Sequence, residues 1–211
     1  MTPPQLFEAD HCGLASATAA LLAGGVIGFP TDTVYGLAAS LETPAAVTAI
    51  SLLKGRPTSQ PLILMVAECG EVERYARMSS FARRIADRHW PGALTLILPA
   101  LEAASVLGGG PTVGVRIPAH PIALALLRQS GPLATTSANR HGLAPALGAA
   151  EAVEQLPGLA GVIREPPEDR LPREPSSILD LSSEPPRLLR AGRLDAAALG
   201  LVDGGGTERR D

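Results

Sequence analysis

Apolar positions along the chain follow helical spacing in some stretches and form short unbroken runs in others. Ala15 to Ala23 is a small, apolar run stopped by Gly24-Gly25, which predicts a helix, and Val26–Phe29 follows as a short buried strand. Val47, Ile50 and Leu53 recur at helical spacing behind Thr43-Pro44, an N-cap with proline at the first helical position. That helix should stop at Gly55. The run 62–66 reads as a buried strand. Ser79 caps a helix through Arg88 with Phe81 and Ile85 inward. Ala93–Leu98 and Thr112–Ile117 are strands on either side of Gly108-Gly109-Gly110-Pro111. Pro121 opens a helix whose Ile122, Ala125 and Leu126 share a face. Leu133-Ala134 is a strand, 149–156 a helix, and Ser177–Leu181 with Arg187–Leu189 a closing pair of strands. Helices and strands alternate without a repeat or a linker, which predicts one α/β domain over 13–200. Residues 1–12 read as an irregular start, 201–211 as a disordered tail of glycine and charge, and Glu165–Pro175 as a proline-rich surface loop.

Composition narrows the function more than the fold. Of 211 residues, 45% are hydrophobic and 18% charged, which sets disorder aside. Aromatic residues make up only 3%, so few rings are available for stacking bases. A net charge of −3 gives no global electrostatic case for nucleic acid, although a local basic groove is compatible with it. Cys12 and Cys69 have neither metal-ligand spacing nor a disulfide framework, which points to a reducing, cytoplasmic setting. The apolar run from Cys12 to Leu22 is too short to cross a membrane. It follows Glu8 and Asp10 where a signal peptide would carry positive charge, so no membrane association is expected.

Candidate chemistry gathers at four places. Lys54-Gly-Arg-Pro57 puts two cations where a helix ends and the chain turns. They either answer the helix C-terminus or hold a polyphosphate, arginine as a planar fork and lysine as a mobile point charge. Pro30-Thr31-Asp32-Thr33 follows a strand and reads either as a turn satisfying its own backbone or as the lining of a site. Arg116 stands inside an apolar strand, where a charge is costly unless it faces solvent or has a ligand. Thr135-Thr136-Ser137-Ala138-Asn139 is a second small-polar cluster at a strand end. There is no G-x-x-x-x-G-K-[ST] loop, no strand–GxGxxG–helix unit and no His-x-x-x-His pair, and Ser137 lacks an obvious triad. Hydroxyls, one amide and several cations suit phosphate and carboxylate binding better than proton abstraction.

Seven stretches together resemble one known family. They are Phe29-Pro-Thr-Asp-Thr-Val-Tyr-Gly-Leu37, Lys54-Gly-Arg-Pro57 with Pro61-Leu62, Trp90-Pro-Gly-Ala-Leu-Thr95, and Thr112-Val-Gly-Val-Arg-Ile-Pro118 with His120-Pro121. Thr136-Ser-Ala-Asn139, Pro175-Ser-Ser-Ile-Leu-Asp180 and Leu189-Arg-Ala-Gly192 complete the set. In this order they are similar to the YrdC/Sua5 family of threonylcarbamoyl-AMP synthases, at the length of a single YrdC-like domain. The resemblance implies a twisted open mixed sheet with flanking helices and a deep, positively lined cleft.

It also implies a reaction in which L-threonine, bicarbonate or CO2, and ATP with Mg2+ give threonylcarbamoyl-AMP and pyrophosphate. Partner proteins would then transfer the threonylcarbamoyl group to tRNA as N6-threonylcarbamoyladenosine, and weak tRNA binding by this chain is left open. By the family pattern Lys54, Arg56, Gln60, Thr112, Asn139 and Arg190 face ATP, with Lys54 and Arg56 catalytic. Thr33, Arg116, Ser137 and Ser176 hold the threonine. Four features depart from the pattern: Met65 where many members carry histidine, Arg140-His141-Gly142 after the Ser-Ala-Asn run, Leu147, and the 165–174 segment. The rival readings are a paralogue acting on another carbamoyl acceptor and a non-catalytic RNA-binding module. Low aromatic content and the acidic balance weigh against the second.

Overall fold

The computed structural model describes residues 3–166 and 174–201. Ten strands make one sheet: β1 (Gln5–Phe7), β2 (Ile27–Phe29), β3 (Gly36–Ser40), β4 (Ile63–Met65), β5 (Leu94–Pro99), β6 (Thr112–Arg116), β7 (Leu133–Ser137), β8 (Gly161–Ile163), β9 (Ser177–Asp180) and β10 (Arg187–Arg190). The helices are α1 (His11–Leu22), α2 (Pro44–Lys54), α3 (Cys69–Val72), α4 (Ser80–His89), α5 (Pro121–Ser130) and α6 (Ala149–Gln155), with a 3-10 turn at Glu102–Leu107. The strand order β1-β8-β2-β3-β7-β4-β6-β5-β9-β10 mixes parallel pairs (β4 with β6, β5 with β9) and antiparallel ones (β3 with β7, β5 with β6). The sheet is therefore open and mixed, as the resemblance implied.

Side chains alternate between the two faces of a strand, so register shows what each face holds. One face carries Leu37, Leu64, Leu96, Val115, Ala134 and Leu179 against Val47 and Ile50 of α2, Ala82 and Ile85 of α4, and Ala152 of α6. The opposite face carries Phe7, Ile27, Phe29, Ala38, Met65, Leu133 and Ile163. These pack on Leu14, Ala17 and Leu21 of α1 and on Ile122, Leu126 and Leu127 of α5. Those two helices cover only part of that face. Met65 pairs with Leu133 on one side and Arg116 on the other, and Ile63 pairs with Thr135 and Gly114. Past Met65 the same face continues as Arg116, Thr95 and Ile178, and among the described residues no helix lines it. A Cβ at Gly114 would lie 2.6 Å from Ile63 Cδ1, so a larger residue there would make the Ile63 side chain turn aside.

Local signals explain the element ends. Asp10 accepts from the Gly13 amide and starts α1, earlier than the pattern suggested. Ser79 accepts from the Ala82 amide at the start of α4. α2 stops at Gly55 in the left-handed conformation (φ 66°), a geometry that glycine adopts without a Cβ penalty.

Several expectations change. The stretch read as an irregular start contains β1 and the first two residues of α1. Phe81 is 37% exposed rather than inward. It lies one position off the buried Ala82–Ile85–Ala86 face, and the Arg84 guanidinium sits 5.6 Å from its ring centroid. The cluster read at a strand end straddles it: Thr135, Thr136 and Ser137 pair with Ala38, Leu37 and Gly36 of β3 inside β7, and Ala138 and Asn139 follow the strand. The 165–175 loop falls partly, and the tail from 202 onward wholly, outside the described residues.

Candidate active site

A cavity of ≈ 320 Å³ lies on the uncovered face. It is lined from the 31–36 loop by Thr31, Thr33 and Tyr35, from the sheet by Ile63, Met65, Thr95, Arg116, Thr135 and Ser137, and from the C-terminal side by Ser176, Ile178 and Arg190. A larger hollow of ≈ 770 Å³ lies between β1 and α6, but the arginine lining it, Arg164, is already paired with Glu8 at 3.1 Å. Among the described residues it is the first cavity that gathers Thr33, Arg116, Ser137, Ser176 and Arg190.

Arg116 is 5% exposed and neither faces solvent nor stands alone. Its Nη2 donates to Asp32 Oδ1 at 2.6 Å, its Nη1 to Thr33 Oγ1 at 2.9 Å and its Nε to the Gly92 carbonyl at 3.0 Å. Burial pushes the guanidinium below its usual range, and Asp32 opposes that push. Thr31 does what both readings of its turn required. Its hydroxyl donates to the Val34 carbonyl at 2.7 Å and accepts from the Thr33 amide at 3.2 Å, fixing the loop while the residue lines the cavity. On the other wall Arg190 donates to the Ser176 carbonyl (2.9 Å) and hydroxyl (3.2 Å), and that hydroxyl meets Thr95 Oγ1 at 2.9 Å. Tyr35 donates its phenol to the Ile163 carbonyl. Burial and the charge of Glu165 raise it far above the ordinary range, so it stays neutral.

The second group sits at the C-terminus of α2. Lys54 is buried, and its ammonium donates to the Ser137 carbonyl (2.5 Å), the Asn139 carbonyl (2.8 Å) and Asn139 Oδ1 (3.0 Å). An ammonium has three donors, and these acceptors match them. Asn139 Oδ1 also accepts from the Ser137 hydroxyl at 2.6 Å, so Lys54, Asn139 and Ser137 form one unit, with Ser137 reaching the cavity. Arg56 is held loosely, by Ser51 Oγ at 3.4 Å and the Gln60 carbonyl at 3.3 Å. Among the described residues neither Lys54 nor Arg56 has a carboxylate partner. Burial first, and the neighbouring Arg56 second, lower Lys54 to about 8. Two adjacent cations without counter-charge leave room for an arriving anion.

The residues singled out in the sequence are therefore not equally placed. Thr33, Arg116, Ser137, Ser176 and Arg190 line the cavity. Lys54, Asn139, Arg56 and Gln60 form the adjoining group, with the Gln60 side chain exposed. Thr112 belongs to neither, standing at the opposite end of β6 from Arg116. Asp32 was read only as part of the 30–33 turn, and Thr95 and the Gly92 carbonyl were not singled out, although each lies within a stretch that carried the resemblance. Among the described residues no three His, Cys, Asp or Glu side chains gather to hold a metal. No helix there is long and apolar enough to cross a membrane.

Fold and site together define an α/β domain whose uncovered sheet face carries a cavity lined by hydroxyls and two arginines. The chain belongs to the Sua5/YciO/YrdC family, whose model, described as "Telomere recombination", matches residues 19–192. It is 38% identical to the threonylcarbamoyl-AMP synthase of Bacillus subtilis over 197 residues, 90% of this chain but 56% of that protein. A Mycobacterium tuberculosis relative is 36% identical over 198 residues, 91% of this chain and 89% of its own. The crystal structure of P. abyssi Sua5 complexed with L-threonine superposes with a TM-score of 0.87 at 35% identity, covering 96% of this chain and 61% of that one. The chain thus spans little more than half of the Bacillus relative.

Proposed function

We propose that this chain is an L-threonylcarbamoyladenylate synthase, a nucleotidyltransferase that makes threonylcarbamoyl-AMP and pyrophosphate from L-threonine, bicarbonate or CO2, and ATP. The observation that carries the reading is the pairing of two anion sites: buried Arg116 among hydroxyls, and the carboxylate-free Lys54–Arg56 pair next to it through Ser137. In this reading Arg116, Thr33, Ser137 and Ser176 take the amino acid. Lys54, Arg56, Gln60, Asn139 and Arg190 take the nucleotide, and Thr112 joins only at the far end of its strand.

The neutral threonine amine attacks CO2 and loses a proton to solvent, giving a carbamate. A carbamate oxygen then attacks the α-phosphorus, and the bond to the β-phosphate oxygen breaks to release pyrophosphate. Orientation and neutralisation of the leaving group supply most of the catalysis, and the side chains present can do both. Among the described residues the donor set holds no cluster of free carboxylates, and Asp32 is spent on Arg116, so these residues do not form a resident Mg2+ site. Magnesium belongs to the nucleotide's own phosphates here. Lys54 donates to three acceptors already, so its first contribution is to hold Ser137 and Asn139. Direct contact with phosphate would require releasing one of them.

The product would pass to partner proteins that modify tRNA, in a reducing, cytoplasmic setting compatible with free Cys12 and Cys69. Pyrophosphate release with ATP and bicarbonate, comparing L-threonine, L-serine and L-valine, tests the reading. Valine matches threonine in shape but leaves buried hydroxyl partners unpaired, so its kcat/KM should fall by more than the ~10–200-fold that a methylene-sized difference gives. Serine should lie between the two. Equal turnover of valine and threonine would remove the case for threonine as substrate.

A further inference from the structure

The Asp32–Arg116 pair does more than the proposed chemistry has so far required. Asp32 is not part of the cavity wall. Its side chain is 13% exposed and lies against the guanidinium that is. A guanidinium has five N–H groups. One on Nε goes to Gly92, one on Nη1 to Thr33 and one on Nη2 to Asp32, which leaves a single N–H on each terminal nitrogen. Asp32 is itself held at two points: its carboxylate by Arg116 and its backbone carbonyl by Arg193 Nη1 at 3.1 Å.

Buried ion pairs add little net stability, because desolvation offsets the attraction. What such a pair does supply is a charge with a fixed direction. The charged groups facing Arg116 are Asp32, Arg190 and Arg193, so the cations outnumber the one carboxylate and an incoming anion is still favoured.

We propose that Asp32 is a positioning residue for the amino-acid substrate. It holds the Arg116 guanidinium so that its two remaining N–H groups meet a substrate carboxylate in one orientation. The proposal rests on the reading that Arg116 binds that carboxylate.

The test uses Asp32→Ala, Asp32→Asn, Arg116→Ala and the Asp32→Ala/Arg116→Ala double variant. Steady-state KM values for L-threonine and ATP are measured together with calorimetric binding of L-threonine alone. Asp32→Ala should weaken L-threonine about 10–100-fold, the range a charge-assisted hydrogen bond represents, with the KM for ATP unchanged within about twofold. Asp32→Asn keeps an oxygen for Nη2 and should recover most of the loss. It also carries the test if Asp32→Ala does not fold. The double variant should be no worse than Arg116→Ala, because the two residues act as one.

Unchanged L-threonine affinity in Asp32→Ala, or losses that multiply in the double variant, would overturn the proposal. So would a parallel rise in both KM values with no recovery in Asp32→Asn, since that pattern marks a purely structural residue. If Arg116→Ala itself binds L-threonine normally, the reading of Arg116 fails. If Arg116→Ala loses L-threonine and Asp32→Ala does not, only the role of Asp32 fails.

Discussion

The two halves of one sheet face make an instructive contrast. Leu133, Met65 and Arg116 are neighbours across three strands, at one register level and on one side. Leu133 and Met65 lie in the apolar layer covered by α1 and α5, whereas Arg116 lies just past it, in the cavity. The backbone scaffold is continuous across that line, and only the side chains and the cover change. Large apolar residues fill the covered half, while the open half mixes Thr95, Thr135, Ser137 and the paired Arg116 with Ile63 and Ile178. A sheet face becomes a site here because helices stop short of it, leaving a rigid floor on which hydroxyls hold fixed positions.

The contrast can be broken most sharply in the covered half. Leu133→Ala should lower stability by about 2–5 kcal/mol, as expected for a fully buried leucine, while the KM for threonine in the folded fraction stays constant. Denaturant melts and substrate titrations separate the two quantities, and a threonine KM that rose with the loss of stability would mean that the halves are not independent.

Next in size is Arg56→Ala. Its hydrogen bonds are long, so the melting temperature should hardly move, while the rate of pyrophosphate release falls on the order of 10²–10³-fold. Full activity with a lower melting temperature would instead return Arg56 to the role of a helix-end cation.

The smallest effect is a pH dependence. Lys54 is lowered to about 8 by burial and then by Arg56, so between that value and its ordinary 10.5 the unfolded chain binds the extra proton. Stability therefore gains from this group as pH rises through that window. ATP binding has the opposite sign, because the phosphates favour the protonated amine. Affinity should be flat below pH 8 and fall by up to about tenfold per unit above it. Titrations of ATP binding at several pH values check this, and Lys54→Met should flatten the curve.

Much of the fold was legible because its elements carry local signals: Ser79 as a cap, Thr43-Pro44 and Gly55 at the ends of α2, and apolar runs at β2, β4, β5 and β6. β3 was not legible. Gly-Leu-Ala-Ala-Ser has no β-branched residue and both its faces are buried, so it shows neither strand composition nor alternation. β1 and β8 are three residues each and gain their strand character from each other across most of the chain. The site divides in the same way. Arg116 could be recognised as out of place among valines, but its partner Asp32 is 84 positions away. The oxygens around Lys54 come from 83 and 85 positions away. Residue type announces that a charge needs an answer, while only the tertiary fold supplies the answer.

The bond from Arg193 to the Asp32 carbonyl spans 161 positions, and so bears on when the site comes into being. During synthesis β2 and β3 can pair early, yet the Asp32 carbonyl gains this partner only once the chain has been made past residue 193. β2 likewise waits for β8 to fill the place beside it. Such distant closures are slow to form. A nascent chain released before Ser176 would hold much of its apolar core and lack the wall that Ser176, Ile178 and Arg190 give the cavity, so the cavity is completed after most of the residues that pack the core have been made.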